Sequence, residues 1–551
     1  MAKISAVFIA VLLLFGCNAP QEVPNNRFSD PKLQRIYDFQ DRQETKKLIP
    51  FLKAKKETHR EAAVLAFASI QDPEAVQFLK VNMFTDTKKS VRKAAAYAIG
   101  QLRDSINVPL LFTALENEID AEVRMYTLEA LGKSANTDVV NYFNTFNSHV
   151  SLLRLGHLKG MYRSILQRKV GDKYASNAIK CFDINASDEI KMFAANILAR
   201  IPKNYTEPLQ EQIESIIASQ MDVEVNRLLN IALPRDETVV KDQVSWIEAK
   251  EFNASHLENP YQLAEILGKV SNLNEQEFGE LKDWMFNHTY QIVRTTAAGV
   301  VFQEMDSSFR TSSDYRQMVI DCLTSRDMAL QSTACYDLVK YPDTFYVDIL
   351  QKTYKNLSLP RQLETAIDIK KAIAKCSGKE YVMPKTEYSH PIDWNYVQTV
   401  KQNEKVVIET SKGNIEMELY VNEAPGSVVN FLKLVDEGYY DNKFFHRVVP
   451  NFVIQTGCNR GDGWGSLDWS QRSEFSNYLT YKEGSVGLAS VGNHTEGVQF
   501  FITHNPTLFL DGRYTIFAQA IKGLDVVHGI TLGDKIITIK RKKESDDKEG
   551  L

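Results

Sequence analysis

Phe444 to Gln455 reads Phe-Phe-His-Arg-Val-Val-Pro-Asn-Phe-Val-Ile-Gln, and Gln499-Phe500-Phe501 answers it downstream. One arginine, two glutamines and several large apolar side chains sit in segments that read as strands. From Arg447 through Phe452 to Gln455, charge, aromatic surface and amide alternate with little room for a loop. The chemistry on offer is that of an apolar groove with one fixed cation held over it. A guanidinium suits that place, being always charged and presenting its donors in a rigid planar fork.

Such a groove needs a sheet, and the surrounding residues supply the pattern. Val406, Ile408 and Thr410 alternate with polar residues, as do Ile415, Met417 and Leu419, with Lys412-Gly413-Asn414 as the turn of a β-hairpin. A helix follows over 425–437, with Pro425 near its start and Gly438 just past its end. A hairpin, a helix and further short strands with turns predict a small β-barrel closed by helices. Within strands, neighbours face opposite sides, so Phe500 is core where Phe501 faces the groove. Phe445 and Phe517 read as core too, and His446, adjoining Arg447, as structural.

The ordered motifs Phe444–Gln455, Gly484–Ser490, Thr495–Thr503 and Leu510–Phe517 resemble those of the cyclophilin family of peptidyl-prolyl isomerases. The resemblance covers about 405–540, nearly a complete domain of that family. It implies that Arg447 and Gln455 are catalytic, Gln455 gripping the substrate backbone and positioning the arginine. It implies that Phe452, Val453, Phe501 and Leu510 wall a proline pocket, and that Ala489, Ser490 and Gln499 line the groove along which the peptide lies. Phe509 stands where a tryptophan is often found, Tyr514 where histidine is common, and Val453 where methionine is usual. The first two changes put tight cyclosporin binding in doubt, and Val453 leaves a shallower wall. Two tryptophans in the loop from Gly461 to Trp469 read equally as a substrate-facing rim or as internal packing. No cofactor or metal is called for.

The implied reaction fits the residues. Amide resonance sets a rotation barrier of about 18–20 kcal/mol, and exchange before proline takes roughly tens to hundreds of seconds uncatalysed. No nucleophile or proton transfer is needed. In the twisted state the prolyl nitrogen becomes pyramidal and more basic, so a fixed donor binds it better than the planar ground state.

The first two thirds of the chain read differently. From 29 to 375 the pattern is helical, and Arg60, Arg92 and Arg124 recur every 32 residues, as do Ala66, Ala98 and Ala130. A fixed period with small residues where helices approach predicts stacked helix pairs of an α-solenoid. The units resemble short HEAT-type repeats. After Thr145 the spacing drifts, although 190–201, 293–301 and 329–339 still read as helices. The recurrent arginines are expected to tie adjacent loops together, in preference to lining a binding face. No catalytic constellation appears in this half.

The N-terminus reads as a targeting segment. Lys3 precedes an apolar run from Ala6 to Phe15, too short to span a bilayer stably. Leu14-Phe15-Gly16-Cys17 resembles the bacterial lipobox, which implies lipidation at Cys17 and a chain anchored to a membrane without spanning it. The expected location is the bacterial cell envelope, at the outer membrane and facing the periplasm. Charge is nearly balanced, with 65 basic against 70 acidic residues, so nucleic acid is not an expected partner. The other cysteines, Cys181, Cys322, Cys335, Cys376 and Cys458, are scattered and read as buried free thiols, a Cys322–Cys335 disulfide being the alternative.

The expected organisation is a signal peptide (1–16), a flexible tether (17–28), a HEAT-like all-α solenoid (29–375) and a linker (376–404). A cyclophilin-like closed β-barrel with capping helices (405–540) and a charged tail (541–551) complete it. In the linker, Trp394 and Tyr396 are candidates to dock onto a neighbouring surface. The expected partners are proline-containing polypeptide clients in the groove, proteins bound by the solenoid, and a membrane through the lipid. The rival reading is a scaffold or holdase that binds proline-containing segments without turnover.

Overall fold

A computed structural model describes residues 25–542 except 184, 235–243, 256–258 and 385–387. The lipobox, its Cys17 and the tail from 543 lie outside the described residues. None of the described helices is long and apolar enough to cross a membrane.

The period-32 segments are helices. Glu57–Ile70, Lys89–Gln101, Ala121–Lys133, Ser151–Ile165 and Asp188–Arg200 pack each on the next. Shorter helices, Val76–Thr85, Val108–Asn117 and Thr137–Thr145, lie between them and pack on the helix that follows. Small side chains permit the close approach: a Cβ on Gly132 would lie 2.1 Å from the Gly160 carbonyl oxygen of the facing helix. Two of the three recurrent arginines act as loop ties. Arg60 forks onto Asp86 at 2.7 and 2.9 Å, and Arg92 onto Glu118 at 2.7 and 3.1 Å while also donating to the Asp86 carbonyl. Arg124 departs from this pattern, its Nε being buried without a partner. The helices Gln291–Glu304, Met328–Lys340 and Leu363–Ser377 form a second stack. Cys322, Cys335 and Cys376 are buried there as free thiols.

The C-terminal part is an antiparallel sheet of β1 (Lys405–Thr410), β2 (Gly413–Leu419), β3 (Arg447–Val449), β4 (Val453–Thr456), β5 (Ser485–Leu488), β6 (Phe500–Thr503), β7 (Ile516–Lys522) and β8 (Ile536–Arg541). Their order is β3-β4-β6-β5-β7-β2-β1-β8. The sheet curls, and its two edges meet where Phe444 bridges Lys535, with the Phe445 N–H donating to the Asp534 carbonyl, the Gly533 N–H to the Phe445 carbonyl and the Ile536 N–H to the Lys443 carbonyl. The hairpin turn is tighter than expected: Thr410 pairs with Gly413, leaving Ser411 and Lys412 as the loop. The helix Pro425–Asp436 packs on β7 and β8 and sends Phe431 against Phe500 and Phe517. Phe445, Phe500 and Phe517 are fully buried, as alternation requires.

The two halves share an apolar core that runs from Phe28 through the first helices to the sheet. Polar contacts reinforce it. Arg163 donates to the Leu508 carbonyl at 2.6 Å, to Asp511 at 3.1 Å and to Glu129 at 2.9 Å, all buried. Arg460 reaches Asp327 at 3.1 Å, and Tyr261 donates to the Gly461 carbonyl at 2.9 Å. The end of the expected tether is also fixed. Asn26 donates to the carbonyls of Val397 and Val400 at 2.7 Å each, and buried Phe28 packs on Trp394 with ring centroids 5.4 Å apart. An asparagine and a phenylalanine in a polar segment give no hint of this, because their partners lie about 370 residues away.

Candidate active site

The groove starts from a turn. Contrary to the expectation of an unbroken run, β3 and β4 are joined by Pro450-Asn451-Phe452, with Asn451 at φ +60° and the Phe452 N–H bonded to the Val449 carbonyl. Asparagine tolerates that left-handed geometry better than most residues. The turn reverses the chain and sets Arg447 opposite Gln455, with Gln455 in turn opposite Phe501.

A polar relay then fixes the cation. Arg447 Nη1 donates to Gln455 Oε1 at 3.4 Å, and Gln455 Nε2 donates to Gln499 Oε1 at 3.0 Å. Gln499 Nε2 donates to the carbonyls of Gly463 and Gly465, at 2.7 and 3.0 Å. Each amide oxygen faces a donor, so both glutamines have one defined orientation and the guanidinium keeps its remaining donors free for a ligand. Arg447 itself is exposed, its Cζ 5.6 Å from the Phe452 ring centre.

Beside the arginine lies an apolar floor. Val453, Phe501 and Leu510 are almost fully buried, and Phe452, Ala489 and Tyr514 pack against them. Phe501 stacks on buried Tyr481 at 5.6 Å and meets Tyr514 edge-on at 5.9 Å. Gly487, paired with Phe501 in the sheet, makes room for both rings. A Cβ there would lie 2.1 Å from the Tyr481 hydroxyl and 2.6 Å from Phe501 Cζ.

Arg447, Gln455, Phe452, Val453, Ala489, Ser490, Gln499, Phe501, Leu510 and Tyr514 all line one cavity of about 310 Å3. Phe509 does not. It stacks on Phe452 at 5.4 Å, packs against the apolar floor and carries the Arg200 guanidinium of the helical half at 4.4 Å. The ring supports Phe452 and the floor by packing. His446 is buried and points away from Arg447's side, toward Gly463, and burial pushes its pKa down to about 4, so it is neutral at pH 7.

Both tryptophans line the cavity and also pack internally, Trp469 stacked on His390 at 4.1 Å and Trp464 near Tyr336 at 6.4 Å. Tyr481, which backs Phe501, carries no sequence signal beyond being an aromatic residue near a strand. More unexpectedly, the helical half also contributes: Met328 and 360–365 line the same cavity. Nothing in the sequence links these to a groove whose other residues start at 447.

A curled sheet carrying an apolar pocket, an adjacent extended groove and a cation held by two amides defines a peptide-binding domain of the rotamase type. The family described as cyclophilin type peptidyl-prolyl cis-trans isomerase/CLD matches residues 405–546. A peptidyl-prolyl cis-trans isomerase of Synechococcus elongatus is 39% identical over 138 residues, 25% of this chain and 94% of that protein. Peptidyl-prolyl cis-trans isomerase B of Bacillus subtilis is 43% identical over 121 residues, 22% of this chain and 85% of its own length. Peptidyl-prolyl cis-trans isomerase 9 of Schizosaccharomyces pombe is 46% identical over 132 residues, but the match spans only 22% of that relative. The chain belongs to the cyclophilin-type peptidyl-prolyl cis-trans isomerase family, through its C-terminal domain.

Proposed function

We propose that the whole protein isomerises X-Pro bonds of cell-envelope proteins and that its helical half, as a HEAT-like repeat arm, binds the clients or their partners. The observation that carries the reading is the Arg447–Gln455–Gln499 relay beside the Phe452–Phe501–Leu510 floor. The proline ring enters the floor and extended backbone lies along Ala489 and Ser490, pairing as an added strand does. Arg447 then meets the prolyl nitrogen from above. Its donors gain most when amide resonance is broken and the nitrogen lone pair becomes available, which lowers the barrier without covalent chemistry.

In this reading lipidation at Cys17 ties the protein to the outer membrane, facing the periplasm, and the repeat arm raises the local concentration of client beside the groove. Radiolabelled palmitate incorporation into the full chain, lost in Cys17→Ser, tests the anchor. For the reaction, the full chain is assayed on a proline tetrapeptide against Arg447→Ala. Equal rates overturn the enzymatic reading. Peptide binding with no turnover by the unaltered protein supports a holdase instead, a role for which the shallow Val453 wall is the argument.

A further inference from the structure

The wall that the helical half builds across the groove is not used by the reaction just described. Leu363–Ser377 begins at the cavity, and Pro360, Arg361 and Glu364, at or just before its start, line it together with Trp464, Ser490 and Arg447. Arg361 is engaged by Asp468 at 2.6 Å on the exposed surface. That contact links the wall to the Gly461–Trp469 loop, the same loop whose Gly463 and Gly465 carbonyls accept from Gln499. Met328 and Leu363 are buried and supply the apolar part of the wall.

Glu364 is different. It is half-buried, and among the described residues it accepts no hydrogen bond and forms no ion pair. Burial, with the carboxylate of Asp368 one turn further along the helix, pushes its pKa up to about 7. Asp462 adds to this, and Lys371 opposes it. Asp462 is already engaged by Arg460 at 2.8 Å and Thr295 at 2.9 Å. A carboxylate with unused acceptors in a wall of a peptide groove gains most from a cation brought by the peptide, since removal from water weakens screening and a charge-assisted hydrogen bond replaces lost hydration.

We propose that the helical half forms a specificity wall of the isomerase groove and that Glu364 selects substrates carrying a lysine or arginine near the X-Pro bond. This rests on the isomerase reading above. It gives the arm a role in substrate choice at the catalytic groove itself, in addition to any surface it offers to clients.

The test uses the full chain with proline peptides in which lysine, glutamine or glutamate occupies each of the three positions on either side of the X-Pro pair. At one of those positions the unaltered protein is expected to favour lysine over glutamate about fivefold in kcat/KM, carried by KM, as for a partly exposed ion pair. Glu364→Gln, nearly isosteric, is expected to bring the ratio close to one, and Glu364→Lys to invert it. Raising ionic strength is expected to shrink the ratio for the unaltered protein only. An unaltered protein without preference, or the same ratio in Glu364→Gln, overturns the proposal while leaving isomerase activity in place. If Arg447→Ala matches the unaltered protein on every peptide, the isomerase reading itself has failed.

Discussion

Arg447 and Gln455 face each other across the β3–β4 ladder, and the glutamine's oxygen receives the guanidinium at 3.4 Å while its nitrogen is spent on Gln499. The cation is therefore oriented through two amides by the carbonyls of a glycine-rich loop. That dependence makes the relay testable away from the arginine.

Gln499→Ala leaves the Gly463 and Gly465 carbonyls without their donor and releases Gln455 to rotate. An unmade hydrogen bond of this kind costs about 1–3 kcal/mol. The expected outcome in the peptide isomerisation assay is a drop in kcat/KM of roughly tenfold, smaller than that of Arg447→Ala. Gln499→Glu places an acceptor where those carbonyls need a donor and is expected to do no better.

Arg163→Ala removes a buried cation that bonds Glu129, Asp511 and the Leu508 carbonyl together. It strands the Asp511 carboxylate, which also accepts from the Tyr481 N–H at 2.8 Å. Breaking a buried pair from one side costs about 3–5 kcal/mol. Urea unfolding of the full chain should show a loss of that size. Because Leu510 lines the pocket and Tyr481 backs Phe501, KM for peptide should rise as well.

Gly487→Ala puts a methyl group against Tyr481 and Phe501. One ring must move, and overpacking of a tight site costs about 1–3 kcal/mol. Peptide KM is expected to rise because Phe501 forms the floor, and Tyr481→Phe in the same chain should relieve part of the effect by removing the nearest atom.

Glu496 is fully buried. One oxygen accepts from Thr515 at 3.3 Å and the other has no partner. Burial raises its pKa from the ordinary 4.5 to about 7. The folded state thus holds a proton that the unfolded state has released over that range, so its stabilising contribution is complete below about pH 4.5 and disappears as pH rises through 7. The full effect is about 3 kcal/mol at one pKa unit per 1.36 kcal/mol. Glu496→Gln should be more stable than the unaltered protein at pH 8, by up to about that amount, and nearly equal to it at pH 4.5. Denaturation midpoints across this interval check it.

Much of the site was readable from residue order alone because its residues are local. Arg447, Phe452, Val453 and Gln455 lie on one strand–turn–strand unit, and the alternation that buries Phe500 exposes Phe501 to the groove. The turn at Pro450-Asn451 was hidden by the apolar run around it. The Arg200 guanidinium over Phe509 joins residues about 300 positions apart, which residue order does not reveal. The loop ties of Arg60 and Arg92 follow from the 32-residue period, whereas the identity of their acceptors, Asp86 and Glu118, differs between repeats.

Local periodicity and turn chemistry therefore pointed by themselves to a helical half and a small β-barrel half, and motif order, through the family resemblance, to a proline groove with Arg447 over it. These depend on interactions among residues near in the chain, where spacing dictates which side chains share a face. Only the tertiary structure decided that Asn26 and Phe28 dock on the linker, that Arg163 braces the pocket from a helix, and that Glu364 stands in the groove wall. Those contacts join residues tens to hundreds of positions apart. Their geometry is set by how two separate apolar faces pack into one core, and no periodicity in the sequence records it.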